Sequence, residues 1–341
     1  MDRKIIIGLI LGFLMLGTAC SRMQVAIPVM HPAEVDLRGK DDAVLDRIDG
    51  RGGEEIEGYL RQLLADSPTV RLRTGPRSRP GRYQTEVRTG PQPEGSILIQ
   101  GQVLEYGYKE HLSQSSDTCT RRIKREGKYV DEEYTCLHYR RRGQARVRAS
   151  FEVVDQSTGL VIASKTAGCV EAEETEATDA TPDYIDDRAM LAKCSRQTAF
   201  EFHKTISPWT ETVQASFYKD GDLPMLEKGI ELARAGLWDQ AISQFKNAVD
   251  AAVADPRIKP KTTARAHWDL GLAYEYTGRF DLAVLHLRRA YQLEPEKEYL
   301  REIGQVEKLR EEKARLKEQL EDREEASNPS GPPRPKAPRI Q

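Results

Sequence analysis

Residues 264–295, ARAHWDLGLAYEYTGRFDLAVLHLRRAYQLEP, decide how the C-terminal third of this chain folds. Apolar and small side chains recur at helical spacing on both sides of Gly278, and Pro295 closes the stretch. Leu270, Gly271 and Tyr274 share a face of the first run; Phe280, Ala283, Leu287 and Ala290 share a face of the second. The pattern predicts two antiparallel helices. Small Gly271 and Ala283 let them approach, and the larger residues fill the space between. An earlier copy places Gly229, Leu232, Gly236, Trp238, Ala241, Phe245 and Ala248 in the equivalent places, with Gly229 and Gly271 42 residues apart.

This spacing resembles the tetratricopeptide repeat, whose period is about 34 residues. The longer offset predicts an extended loop around Pro256 and Pro260. The resemblance implies an all-α module over 222–297, with a concave groove built from the first helix of each pair. By that register Leu223, Leu226, Ile230, Ala233 and Arg234 face the groove in the first copy. Arg265, Trp268, Leu272, Glu275 and Tyr276 face it in the second. A Trp and a Tyr beside Arg and Glu match the composition of interface hot spots, implying a protein partner. The alternative is that Trp268 packs against a neighbouring repeat or the preceding domain. Downstream, 298–324 reads as a charged capping helix with a thin stripe of Ile303, Val306, Leu309, Leu316 and Leu320; 325–341 is Pro-rich, polar and expected to be disordered.

At the other end, Arg3 and Lys4 precede an unbroken apolar run from Ile5 to Leu16, too short to span about 30 Å of hydrocarbon. Leu16-Gly17-Thr18-Ala19-Cys20 then resembles the cleavage motif of bacterial lipoprotein signals. The resemblance implies removal of 1–19, lipidation (diacylglyceryl and palmitate-type acyl chains) of Cys20, and a tether over 20–24. Ser21 after the cysteine is similar to outer-membrane sorting signals, so the chain is expected to face the periplasm.

Between these ends, 25–219 alternates strand and helix signals and predicts an α/β sandwich with a mostly antiparallel sheet. The whole chain is therefore expected to be α+β: that sandwich followed by the repeat module. Val25-Ala26-Ile27 is a strand candidate. Ile56, Leu60, Leu63 and Leu64 define a helix face ending before Ser67-Pro68. Residues 73–95 read as a mobile loop, and Ser96 to Tyr108 as a strand. Ala145, Val147, Ala149, Phe151 and Val153 alternate with polar residues, with Leu160 to Lys165 as hairpin partner. Thr181-Pro182-Asp183 predicts the start of a helix with Leu191, Cys194, Thr198 and Phe202 on one face. Val213 to Tyr218 closes the region as an edge strand. The segments VMHPAEVDLRG, LIQGQVLEY and RASFEVVDQSTGLVIAS resemble the periplasmic domain of the curli-secretion and TolB-N-like lipoproteins. The segment Cys119 to Arg142 lacks the apolar alternation of a lipid-facing hairpin.

Export places Cys119, Cys136, Cys169 and Cys194 in an oxidising compartment. A turn centred on Gly127-Lys128 would pair Glu126 with Tyr129 and set Cys119 opposite Cys136, leaving Cys169 for Cys194. Zinc is the alternative, because His138 lies two residues from Cys136, although no Cys-x-x-Cys is present. Basic residues concentrate at Arg121 to Lys128 and Arg140 to Arg142, and Glu171, Glu173, Glu174 and Glu176 read as an acidic loop. Either these are solvated faces or the basic set meets anionic lipid or an acidic surface.

With Lys+Arg 52 against Asp+Glu 54, no whole-protein field draws the chain toward nucleic acid. Catalytic signatures are missing, apart from Ser216-Phe217-Tyr218-Lys219, a Ser-x-x-Lys match placed in a strand without its usual partners. His267 is expected in the repeat core, and His203 near a helix end where a cation complements the dipole. The expected function is a non-enzymatic, lipid-anchored scaffold or adaptor without cofactor or metal, binding another envelope protein through the groove. The alternative is an oligomerising component of an outer-membrane secretion or transport assembly.

Overall fold

The computed structural model describes residues 22–40, 42–73 and 95–327, with side chains through residue 321. The signal segment, Cys20, nearly all of the expected loop at 73–95 and the tail beyond Ser327 lie outside the described residues. Strands are β1 (Arg22–His31), β2 (Asp42–Asp49), β3 (Arg71–Arg73), β4 (Ser96–Arg125), β5 (Lys128–Asp155), β6 (Val161–Thr178) and β7 (Trp209–Tyr218). Helices are α1 (Gly53–Ala65), α2 (Asp187–Ile206), α3 (Pro224–Arg234), α4 (Trp238–Ala254), α5 (Pro260–Tyr276), α6 (Phe280–Leu293) and α7 (Lys297–Ser327). The protein is α+β, with 42% helix and 38% sheet.

Two compact units are interleaved in sequence: residues through Val29 with Thr210–Glu311, and Met30–Trp209 with the chain from Glu312 onward. The division differs from the linear order expected from sequence, because β1 and β7 belong almost wholly with the helical repeats.

In the sheet unit the strand order is β3-β2-β4-β5-β6. β2 runs parallel to β3 and β4, whereas β4, β5 and β6 form an antiparallel meander. Helices α1 and α2 pack on each other and on this sheet. Ile56, Leu60 and Leu64 meet Leu191, Cys194 and Phe202 over the buried row Ala145, Val147, Ala149, Phe151 and Val153. The rings of Phe151 and Phe202 stack at 4.3 Å. α2 starts later than Thr181-Pro182-Asp183 implied: Asp186 is its N-cap, its carboxylate accepting from the Ala189 N–H at 3.0 Å.

Two expectations for this unit are corrected. Glu171 to Glu176 lie in β6, not in a loop, with Arg140 opposite Glu176 and Arg142 opposite Glu174. The hairpin turn is centred on Glu126-Gly127, so Arg125 pairs with Lys128 and Cys119 lies opposite Tyr134. Glu126 and Gly127 both have positive φ, 49° and 79°, as a type I′ turn requires, and that turn twists with the strands. Cys119 and Cys136 are consequently diagonal neighbours. They are bonded, with α-carbons 5.7 Å apart. Cys169 and Cys194 are bonded as well, tying β6 to α2. Cross-strand charge explains why so polar a hairpin extends so far: Arg121 pairs with Glu132 at 2.8 Å, Arg122 with Asp131 at 3.0 Å, and Arg141 with Glu110.

In the repeat unit, α3–α4 and α5–α6 are successive helical hairpins. A Cβ added at Gly229 would come within 2.6 Å of the Phe245 ring, and one at Gly271 within 2.9 Å of Leu287 Cγ. Glycine is therefore required at both crossings. One face of the β1–β7 ribbon completes this core: Val25, Ile27, Val29, Ala215 and Phe217 are buried with Leu226, Ile230, Phe245, Trp268 and Leu270. Phe217 stacks on Phe245 with centroids 5.7 Å apart.

Phe217→Ala is expected to cost the repeat unit about 3–5 kcal/mol, as for a fully buried aromatic. Leu285→Ala, on an exposed helix face, is expected to stay within about 0.5 kcal/mol. Native-state hydrogen exchange of α4 and α5 reads both changes.

Candidate functional site

The face expected to form an open groove is made by α3 and α5, and these two helices and the capping helix α7 each contact the ribbon. Arg234 of α3 donates from Nε and Nη2 to the Gln24 carbonyl at 3.2 and 3.0 Å. From α5, Trp268 Nε1 donates to the Ser216 carbonyl at 3.0 Å, and the Asp269 carboxyl accepts from the Tyr218 N–H at 2.8 Å. Arg265 pairs with Asp220 at 3.0 Å and lies over the Tyr218 ring. On α7, Glu298 accepts from both terminal nitrogens of Arg22, at 2.8 and 2.6 Å. Arg22 also contacts the Tyr218 hydroxyl and covers its ring at 4.4 Å.

The open-groove assignment is therefore corrected. Trp268 is 2% exposed and Leu272 2%, Glu275 is 4%, and Leu223, Leu226, Ile230 and Ala233 are buried. Tyr276 is half-buried, 6.4 Å from Trp238 in ring-centroid distance. Helical periodicity identifies which face is apolar, but not whether a partner or the chain itself covers it. Here the chain's own β1 and β7 do. Of the expected groove residues, Arg234, Arg265 and Trp268 hold the ribbon, while Glu275 and Tyr276 lie farther along α5.

Several residues that organise this site were not singled out from sequence: Arg22, Tyr218, Asp220, Asp269 and Glu298. Asp269 carried a readable signal, since an acidic residue directly follows Trp268 within the apolar centre of α5. Its carboxyl is wholly buried and pushed well above the usual range by desolvation, opposed by the Tyr218 N–H. Arg22 holds Glu298 below the carboxylate range through hydrogen bonding. Glu275 meets Glu302 of α7, and burial together with the like charge drives the Glu275 carboxyl strongly upward.

The histidines behave as core groups. His267 lies 2.9 Å from His286 between their Nδ1 atoms, and burial lowers its pKa to about 4. His203 is buried and lowered to about 4 by desolvation, so it is neutral near pH 7 and does not supply the cation expected at the end of α2. Ser216 sits in β7, its hydroxyl accepting from Gln24 at 3.3 Å. Among the described residues, one group has metal-ligand spacing: Cys119, Cys136 and His138.

Residues 264–297, spanning α5, α6 and the start of α7, match the tetratricopeptide repeat family. No curated protein sequence matches the chain. Among solved structures, the chain is similar to the PelC dodecamer from Paraburkholderia phytofirmans, at 16% identity, over 54% of this chain and 98% of that one, with a TM-score of 0.25. A single-substitution variant of the same dodecamer matches at 15% identity over the same shares, with a TM-score of 0.29. The chain is also similar to a minor lipoprotein from Acinetobacter baumannii, at 12% identity, over 49% and 92%, with a TM-score of 0.25. Scores this low do not establish a common fold.

A carboxyl whose folded pKa lies above its unfolded value binds its proton more tightly in the native state. Its stabilising contribution is complete below the unfolded carboxyl range and declines as pH rises toward the folded value. Glu275→Gln keeps the shape without the titration. Its stability relative to wild type is expected to increase by about 1.4 kcal/mol per pH unit between pH 6 and 8. Urea unfolding across that range measures the gap, and a constant gap would show that Glu275 is ionised in the native state.

Proposed function

We propose that this protein is a non-enzymatic envelope lipoprotein, anchored through lipid on Cys20 and serving as a protein-binding scaffold or adaptor that faces the periplasm from the outer membrane. The ribbon in the first-helix groove is the observation that carries this reading. Arg22, only two residues after Cys20, is held by Glu298 and Tyr218. The repeat fold is thus spent on gripping the strand that leaves the anchor, and tetratricopeptide repeats otherwise serve protein recognition. Partner binding then belongs to the second-helix face, where Leu285 is 59% and Val253 68% exposed. The near-neutral charge and the internal pairing of the arginine clusters support a protein partner over nucleic acid.

Homo-oligomerisation, as in a secretion or transport assembly, is supported by a different observation. β6 lies at the edge of its sheet, and Val161, Ile162 and Val170 along it, with Leu160 just before it, are exposed. Native mass spectrometry of the detergent-extracted protein separates the readings, a closed ring favouring assembly and a monomer or dimer favouring the adaptor.

Cys20→Ala is expected to abolish palmitate labelling and membrane retention; equal labelling of the variant would remove the anchor from the proposal. A photo-crosslinking residue at Leu285 is expected to give protein adducts in intact envelopes, and one at buried Trp268 none. Adducts from Trp268 alone would return binding to the groove.

A further inference from the structure

From the described hairpin we infer a site that no comparison assigns: the Cys119–Cys136 pair with His138 is a redox-gated site for a soft divalent cation such as Zn²⁺. Cys136 and His138 point to the same face of β5, two residues apart, and Cys119 reaches that face diagonally from β4. One ligand atom from each of the three lies within 4.8 Å of the others. His138 Nε2 is 3.6 Å from Cys136 Sγ. That separation matches the edge of a tetrahedral zinc site, about 3.6 Å for bonds of ~2.3 Å to sulfur and ~2.05 Å to nitrogen.

The surroundings orient the same atoms. Thr178 Oγ1 lies 3.0 Å from His138 Nδ1, which fixes the ring and leaves Nε2 facing the cysteines. Such an outer hydrogen bond is the usual partner of a metal-binding imidazole. Asp179 braces the strand between them: its carboxylate accepts from the Leu137 N–H at 2.8 Å and the Tyr134 hydroxyl at 3.0 Å. The Asp179 N–H donates to the Leu137 carbonyl at 2.7 Å. Cys119 and His138 are partly exposed, so a water can complete the coordination.

In the oxidised protein both sulfurs are committed to each other. Reduction by a dithiol donor transfers two electrons and two protons to the pair, and the donor leaves as a disulfide. The cation then displaces both thiol protons and binds the two thiolates and His138 Nε2. Disulfide and metal are mutually exclusive ways of closing the same hairpin, so the tip keeps a crosslink in either redox state.

The full-length protein, oxidised or reduced anaerobically with a phosphine, is titrated with Co²⁺ and then Zn²⁺. The reduced wild type is expected to bind one Co²⁺ with a thiolate-to-cobalt charge-transfer band that Zn²⁺ abolishes; the oxidised protein is expected to show no band. His138→Ala and the double variant Cys119→Ser/Cys136→Ser, with folding checked by circular dichroism, are expected to lose stoichiometric binding. Thr178→Val is expected to weaken it by about 10–100-fold. No band in the reduced wild type would overturn the inference. So would a band that persists in the double variant, which places the metal at Cys169 and Cys194, or affinity unchanged by His138→Ala.

Discussion

Burial of the β1–β7 ribbon against the first-helix face is the constraint on which the repeat unit depends. A two-stranded ribbon is at best marginal alone in water, and two helical repeats bury too little surface to be stable by themselves. Joined, they enclose one core in which Phe217 stacks on Phe245 and Val25, Ile27 and Val29 are covered. Apolar burial supplies the drive, but it is tolerant of sliding. Register comes from the polar contacts: Trp268 to the Ser216 carbonyl, Asp269 to the Tyr218 N–H, and Arg22 to Glu298. A slip of one residue would turn Phe217 out of the core and leave the Asp269 carboxyl without its donor.

The same contacts explain the electrostatics of this unit. Asp269 and Glu275 are acidic residues placed where water does not reach, and each is held toward its neutral form. Arg22 and Arg265 remain at the margin, where the Tyr218 ring and the carboxylates of Glu298 and Asp220 receive them. Covering these two acids as ionised carboxylates would cost far more than covering them in their neutral form.

The sheet unit solves a different problem, that of ordering long strands with little apolar surface. Where β5 crosses the helices, alternate residues are fully buried and packing holds the sheet. Beyond the helices, opposite charges across neighbouring strands and the Cys119–Cys136 bond take over. The basic residues that look like a separate surface in the sequence thus meet acids on the neighbouring strands: Arg121 with Glu132, Arg122 with Asp131, Arg141 with Glu110, and Arg140 with Glu174 and Glu176. This weakens the case for a lipid- or acid-binding basic patch at Arg140, whose guanidinium meets Glu174 and Glu176.

Local chemistry carried much of the molecule. Helical period and small residues located both hairpins; Gly229 and Gly271 could be read because their missing side chains leave room for Phe245 and Leu287. Strict alternation located β5, because a half-buried strand has a period of two whatever its neighbours are. Positions that depend on two distant segments were not readable. The expected turn lies one residue from the observed one because Gly127 suits both primed turn types, which follow the strand twist equally well, so the register is set by the pairing along the whole of β4 and β5. The groove looked open because sequence marks a helix face as apolar without showing what lies on it. That β1 and β7, nearly two hundred residues apart in the chain, come together to fill it follows from long-range burial, which no local pattern encodes.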